Sequence, residues 1–266
     1  MSFFDDMKTN KLGQKAYNTH VQANEMNKRG RMAESKAKYE EARKLYDEAY
    51  AAGCRRNNIM MAYSILLMRL GEFTKARELM KEISAIGGMT EDTHFELRVN
   101  YSICLWRLGI LDEAIKTIQY AGKHSKNSSY YSSLGTYLVE QAGQNGDFET
   151  ARAFLEEAMD YDDEDAATLD NYGEYYRLLS ERAAAKGDGE TAVELRNQSK
   201  DFFERAHKQK PSQITTLYAL AKFEKEDGNL ERARELTDKA IMHWSSMICP
   251  VSVEQLQALR AELGES

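Results

Sequence analysis

Apolar residues recur every three to four positions along most of the chain, which is the spacing that places them on one side of an α-helix. Residues 73–83 show the pattern well, with Phe73, Ala76, Met80 and Ile83 at the apolar positions. Charged residues occupy the positions between them, as expected for helices with one buried and one solvated side. Only two prolines interrupt the 266 residues, and proline is the residue that most strongly breaks helices. The pattern predicts an all-α protein and excludes an all-β fold.

A longer repeat is superimposed on this helical pattern. A glycine followed five residues later by an alanine occurs five times, at Gly71/Ala76, Gly109/Ala114, Gly146/Ala151, Gly187/Ala192 and Gly228/Ala233. Successive glycines are separated by 38, 37, 41 and 41 residues. Glycine readily adopts the left-handed conformation that ends a helix, and the small alanine lets two helices approach closely. Each unit is therefore predicted to be a helix, a glycine turn and a second helix.

These residues resemble the tetratricopeptide repeat (TPR), a helix–turn–helix unit of 34 residues. Besides the glycine–alanine pairs, the resemblance rests on an apolar residue after most of the glycines and on a small residue within each first helix. The small residues are Ser64, Ser102, Gly135, Gly173 and Ala221. The tryptophan typical of the family is replaced by Met60, Arg98, Tyr131, Leu169 and Leu217. The resemblance implies a right-handed α-solenoid whose first helices line a concave groove that holds peptides or partner helices.

The repeat spacing predicts a single TPR-like domain over residues 1–266, with about six helix pairs and a C-terminal capping helix. The predicted pairs span about 9–52, 56–86, 91–124, 128–160, 164–209 and 212–246. In the first pair the predicted buried stripe is Tyr39, Ala42, Leu45, Tyr46 and Ala49. Residues Ser252 to Gln255 have the sequence of a capping box, which predicts a short helix over 252–263. Its Leu256 and Leu259 are expected to cover the end of the last pair.

Charge is spread unevenly along the chain. Residues 1–146 contain 21 basic and 17 acidic residues, whereas residues 147–190 contain 4 basic and 14 acidic residues. The whole chain has a formal net charge of −7, so a dedicated nucleic-acid binder is not expected, because phosphate contacts require a concentrated basic surface. The acidic stretch 147–190 is either a solvated face or a surface that selects partners by charge.

No catalytic, cofactor or metal site is predicted. The three cysteines Cys54, Cys104 and Cys249 are far apart, and the five histidines are too widely spaced for paired metal ligands on one helix. Residues 160–165 are acidic but lack the central glycine and final glutamate of a calcium loop. The longest apolar run, 59–68, is too short to cross a bilayer, and no secretory signal is expected at the N-terminus. We therefore expect a cytoplasmic protein that is not an enzyme.

The predicted partner site lies on the groove face of the first helix in the second helix pair and of the first helix in the third helix pair. It comprises Met61, Ile65, Met68, Arg69, Val99, Asn100, Ile103, Trp106 and Arg107. Methionine adapts to different partners, tryptophan is a frequent anchor at interfaces, and the arginines could pair with acidic residues. An alternative is that the long first helix pair covers Met61 and Met68, which would make them core residues. The clamp by which some TPR modules bind chaperone tails is not expected, since only Asn100 matches it.

The leading hypothesis is therefore a protein–protein interaction scaffold that binds a peptide or partner helix, amphipathic with acidic residues, and that needs no cofactor. Two alternatives are kept. One is a self-association module in which the apolar surface meets its own copy in a homodimer. The other is a peptide-sensing accessory subunit of a regulator, whose DNA-reading part would come from a partner.

Overall fold

The structure is a computed structural model that describes the backbone of residues 3–244 and 249–264, and the side chains from residue 9 onward within those ranges. The described residues form thirteen α-helices and no strand, so the predicted all-α class is confirmed. The helices are α1 (Phe3–Lys28), α2 (Met32–Ala51), α3 (Asn57–Arg69), α4 (Phe73–Ile86), α5 (Glu91–Arg107), α6 (Leu111–Ala121), α7 (Ser128–Asn145), α8 (Phe148–Tyr161), α9 (Ala166–Ala185), α10 (Gly189–Gln209), α11 (Ile214–Glu226), α12 (Leu230–His243) and α13 (Val253–Glu262).

The five repeat glycines all lie in the turns between helices, as predicted. Their φ angles lie between +75° and +83°, in the left-handed region that favours glycine. After α3, the amide of Gly71 donates to the carbonyl of Met68, and the amide of Glu72 donates to the carbonyl of Leu67. This is the Schellman arrangement, which satisfies the last carbonyls of a helix. The glycine therefore ends the first helix of each unit and lets the second begin at once.

The helices form two compact units, residues 3–109 and residues 110–244 with 249–264. In the first unit, α1 packs on α2, α3 packs on α4, and α3 also contacts α1, α2 and α5. In the second unit, α7 packs on α8, α9 on α10 and α11 on α12, while α7 and α11 also contact α9 and α10 respectively. That both units belong to one continuous repeat domain remains a prediction from the glycine spacing.

The core of the first unit is built mainly from α2, α3 and α4. The predicted stripe on α2 is buried throughout, from Tyr39 to Ala49. The rings of Tyr46 and Tyr63 stack with their centroids 5.1 Å apart. At Gly13 of α1, a β-carbon would lie 2.9 Å from Sγ of Cys54 and 3.1 Å from Cγ2 of Ile59. The glycine therefore permits α1 to lie directly against the start of α3.

In the second unit, polar contacts join successive first helices. Asn171 of α9 donates from Nδ2 to the carbonyl of Ser132 on α7 (3.2 Å), and its Oδ1 accepts from the hydroxyl of Thr136 (2.9 Å). Asp170 accepts hydrogen bonds from the hydroxyls of Thr215 (2.9 Å) and Thr216 on α11. These bonds satisfy polar groups that packing removes from water, and they fix the register of α7, α9 and α11.

The predicted capping helix is present as α13. The hydroxyl of Ser252 accepts from the amide of Gln255 (3.1 Å), and the side chain of Gln255 accepts from the amide of Ser252 (2.8 Å). Both halves of the predicted capping box are therefore formed. Leu256 and Leu259 are buried, and α13 packs on α12, where it covers the last helix pair as expected.

Candidate functional site

The nine residues of the predicted partner site lie on α3 and α5, two first helices that contact each other in the first unit. The structure divides them by burial. Met61 is 7% exposed, Met68 is 1% exposed and Val99 is 8% exposed. The other six are half-buried, so each presents part of its side chain to solvent; they are Ile65, Arg69, Asn100, Ile103, Trp106 and Arg107. These six residues are hereafter called the α3–α5 face.

The prediction that the groove face includes Met61, Met68 and Val99 is wrong, because all three are interior residues. Both methionines belong to the hydrophobic core that also includes Ala16 of α1 and Tyr39 of α2. Helices α1 and α2 each contact α3. The structure therefore agrees with the alternative hypothesis, that the first helix pair covers these methionines. Their contribution is to core packing, where methionine fills irregular space.

Arg69 is held at the C-terminal end of α3 by contacts with the first helix pair. Its guanidinium carbon lies 4.9 Å from the centroid of the Tyr39 ring. Its charge also acts on His20 of α1. The pKa of that imidazole is lowered to about 4, mainly by burial and to a smaller extent by the charge of Arg69. Arg69 therefore carries its charge on a fixed aromatic support, which reduces the entropy that a partner must remove on binding.

Arg107 is positioned by aromatic rings at the end of α5. Its guanidinium carbon lies 4.8 Å from the ring centroid of Phe73 on α4 and 5.9 Å from that of Trp106. The two aromatic rings hold the guanidinium at the C-terminal end of α5. Ile103 and Trp106 lie within about one turn of Arg107 on α5, and Ile65 lies about one turn before Arg69 on α3. The face can thus accept an apolar side chain and an acidic group together.

Sequence reasoning missed a buried polar cluster behind this face. His20 is buried between two tyrosine rings, with centroid distances of 5.9 Å to Tyr39 and 6.1 Å to Tyr46. Nδ1 of His20 and the hydroxyl of Tyr46 are 3.5 Å apart, and burial raises the pKa of Tyr46. The helical period marked Tyr46 as buried, but no periodic signal marked its contact with His20 of α1. The cluster supports Tyr39 and thereby Arg69.

All three cysteines are buried, and burial raises the pKa of Cys104 to about 12, which keeps its thiol protonated. Within the described ranges, no group of three or more histidine, cysteine, aspartate or glutamate side chains is arranged to hold a metal ion. No described helix is both long enough and apolar enough to span a membrane.

Comparison with known proteins supports the repeat assignment. A family model described as tetratricopeptide repeat matches residues 27–88. No curated protein matches the chain. Among solved structures, the human IFIT1 dimer with PPP-AAAA is 17% identical with a TM-score of 0.58, over 84% of this chain and 49% of that one. The Cut9–Hcn1 hetero-tetramer of the APC/C is 14% identical with a TM-score of 0.55, over 98% of this chain and 47% of that one.

These likenesses establish the fold, and the chain spans about half the length of each of these two structures. The repeat model covers α2, α3 and α4, and with them Ile65 and Arg69 of the α3–α5 face. The resemblance predicted from the glycine–alanine pairs is confirmed: the chain has the fold of a TPR protein, with a tetratricopeptide repeat in residues 27–88.

Proposed function

We propose that this chain is a non-catalytic, cytoplasmic interaction scaffold that binds a peptide or partner helix on the α3–α5 face. The observation that carries the proposal is that half-buried Ile65 shares one side of α3 with Arg69, half-buried Ile103 and Trp106 share one side of α5 with Arg107, and both arginines lie against aromatic rings. The TPR fold is typical of protein–protein interaction scaffolds, and helical solenoids use their extended concave surfaces for binding.

The chemistry of the face favours an amphipathic partner segment that carries acidic residues. Apolar side chains of the segment would pack on Trp106 and the two isoleucines, as anchors do at other helix-binding surfaces. Its carboxylates would pair with Arg69 and Arg107, whose planar guanidinium groups suit bidentate contacts. The formal net charge of −7 for the whole chain does not favour nucleic acid as the main partner.

The test compares two glutamate substitutions of apolar residues in the first unit. Trp106→Glu places a charge on the α3–α5 face, whereas Ile86→Glu places one at the end of α4, where Ile86 is 47% exposed. The native chain and both variants are first matched for helicity by circular dichroism and then used for affinity capture from cell lysate. We expect one partner to be retained by the native chain and by Ile86→Glu and to be lost from Trp106→Glu.

Self-association is separated from partner binding by the same variants. Light scattering of the native chain measures its mass in solution. A native dimer that Trp106→Glu converts to a monomer, without a captured partner, would replace the scaffold proposal with the homodimer alternative. Equal capture by all three proteins would place binding elsewhere on the chain and overturn the assignment of the α3–α5 face.

A further inference from the structure

Three aromatic rings form a stack on the second unit, between the long helices α9 and α10. Tyr172 and Tyr176 of α9 and Phe202 of α10 are nearly parallel, with interplanar angles from 12° to 23° and centroid distances from 4.8 to 6.2 Å. Tyr172 is buried, whereas Tyr176 and Phe202 are half-buried. Two rings of this aromatic stack therefore reach the surface.

A guanidinium group already lies on the stack. Arg205, an exposed residue one turn along α10 from Phe202, has its guanidinium carbon 5.0 Å from the centroid of the Phe202 ring. Aromatic faces attract cations through the ring quadrupole, and the planar guanidinium adds stacking contact. The intramolecular contact shows which chemical group these rings accept.

The preceding second helix, α8, carries negative charge that acts on Tyr172 of the stack. Glu156 and Asp160 of α8 are exposed. Burial of Tyr172 is the main cause that raises its pKa to about 12, and the charges of these two carboxylates add to the shift. Glu156 is paired with Arg152 at 2.8 Å. The carboxylate of Asp160 makes no hydrogen bond or ion pair with any other described residue, and it lies in the last turn of α8, where the helix dipole disfavours a carboxylate. A cation brought to this place would relieve that repulsion.

We propose that the aromatic stack is a docking surface for a basic, arginine-containing segment of a partner protein. A guanidinium of the segment stacks on Tyr176 or takes the place of Arg205 on Phe202, and Asp160 neutralises its charge. Residues 147–190, which contribute α8 and α9, contain 14 acidic and 4 basic residues. This charge attracts basic segments and repels acidic ones. The site lies on the second unit and does not depend on the α3–α5 face.

The probes are fluorescein-labelled hexaarginine and hexalysine amides, and binding is followed by fluorescence anisotropy at low salt. Lysine lacks the planar group, so the native chain should bind hexaarginine more tightly than hexalysine. Phe202→Leu should weaken hexaarginine binding by a factor of about 2 to 5, the range for an exposed cation–π contact, and should remove the preference over hexalysine. Asp160→Asn should weaken both peptides, and Glu231→Gln on α12, with the same charge change, should weaken both less.

Arg205→Ala is the decisive variant because the proposal predicts that it binds hexaarginine more tightly than the native chain does. It removes the internal competitor and one positive charge; the charge loss alone should strengthen both peptides alike, whereas the vacated Phe202 ring should strengthen hexaarginine more than hexalysine. Equal binding of the two peptides by the native chain, or unchanged or weaker hexaarginine binding by Arg205→Ala, would overturn the proposal. Trp106→Gln, which keeps the net charge, should leave hexaarginine binding unchanged, which separates this site from the α3–α5 face.

Discussion

Gly173 lies within α9, against the ring of Phe203 on α10. A β-carbon at position 173 would lie 2.8 Å from Cγ, Cδ1 and Cε1 of that ring. Phe203 is only 2% exposed, so its ring has little room to move. The carbonyl of Gly173 also accepts a 2.7 Å hydrogen bond from the buried hydroxyl of Ser199. Gly173→Ala should therefore force α9 and α10 apart where Phe203 packs against position 173.

The expected free-energy change has two opposing parts. Alanine is favoured over glycine inside a helix by about 1 kcal/mol, whereas overpacking a filled core costs about 1–3 kcal/mol. Gly143→Ala in α7 is the matched control, because a β-carbon there would meet the terminal methyl carbons of Leu178 at 3.3 and 3.5 Å. Both substitutions gain helix propensity, so the difference between them isolates the packing cost. Gly173→Ala should be less stable than Gly143→Ala by about 1–3 kcal/mol.

Urea denaturation followed by circular dichroism measures both variants against the native chain. A double-mutant cycle with Phe203→Leu completes the test, since a smaller side chain at position 203 should reduce the cost of Gly173→Ala. If Gly173→Ala is as stable as Gly143→Ala, the ring does not lie against the helix and the packing argument fails. The same conclusion follows if the cost of Gly173→Ala is unchanged in the Phe203→Leu background.

Three further predictions concern ionisable side chains and are checked by urea denaturation. Burial lowers the pKa of His20 to about 4, so its contribution to the free energy of unfolding is present above pH 6.5 and is lost as the pH falls through about 4. His20→Gln should flatten this part of the plot of stability against pH. Burial raises the pKa of Asp170 to about 6, so its contribution is present below pH 3.8 and is lost as the pH rises through about 6; Asp170→Asn should abolish that change. Lys200→Met should destabilise the fold by about 1–3 kcal/mol, because the carboxylate of Glu224, 2.8 Å away and 1% exposed, loses one charged hydrogen-bond partner and keeps Arg232 at 3.2 Å. Lys225→Met at an exposed pair should cost less than about 1 kcal/mol.

The helices and their turns could be predicted because their signals are local. Gly71 and its four counterparts need a conformation that glycine adopts without strain, and the residues on either side carry the helical period. The same is true of α2, where the spacing from Tyr39 to Ala49 marks the buried side. The capping box at Ser252 involves residues only three positions apart. Each of these features is specified within one or two helical turns.

The site could be predicted only in part because it depends on contacts between distant segments. Periodicity placed Met61 and Met68 on the outward side of α3, but the long first helix pair covers that side. The contact of Arg69 with Tyr39 joins residues 30 positions apart in the sequence. Similarly, Asp170 and Thr215 are 45 positions apart, and nothing in either helix alone marks their hydrogen bond.

The central claim is that the α3–α5 face contacts a partner, and photo-crosslinking from within that face tests it most directly. A benzophenone amino acid, p-benzoylphenylalanine, replaces Ile103 in one form of the full chain and the exposed Ile86 of α4 in another, and both are irradiated in lysate. We predict one crosslinked partner from position 103 that is absent from position 86 and is lost when Trp106→Glu is added. Identical products from both positions, or a crosslink only to a second copy of this chain, would contradict the account.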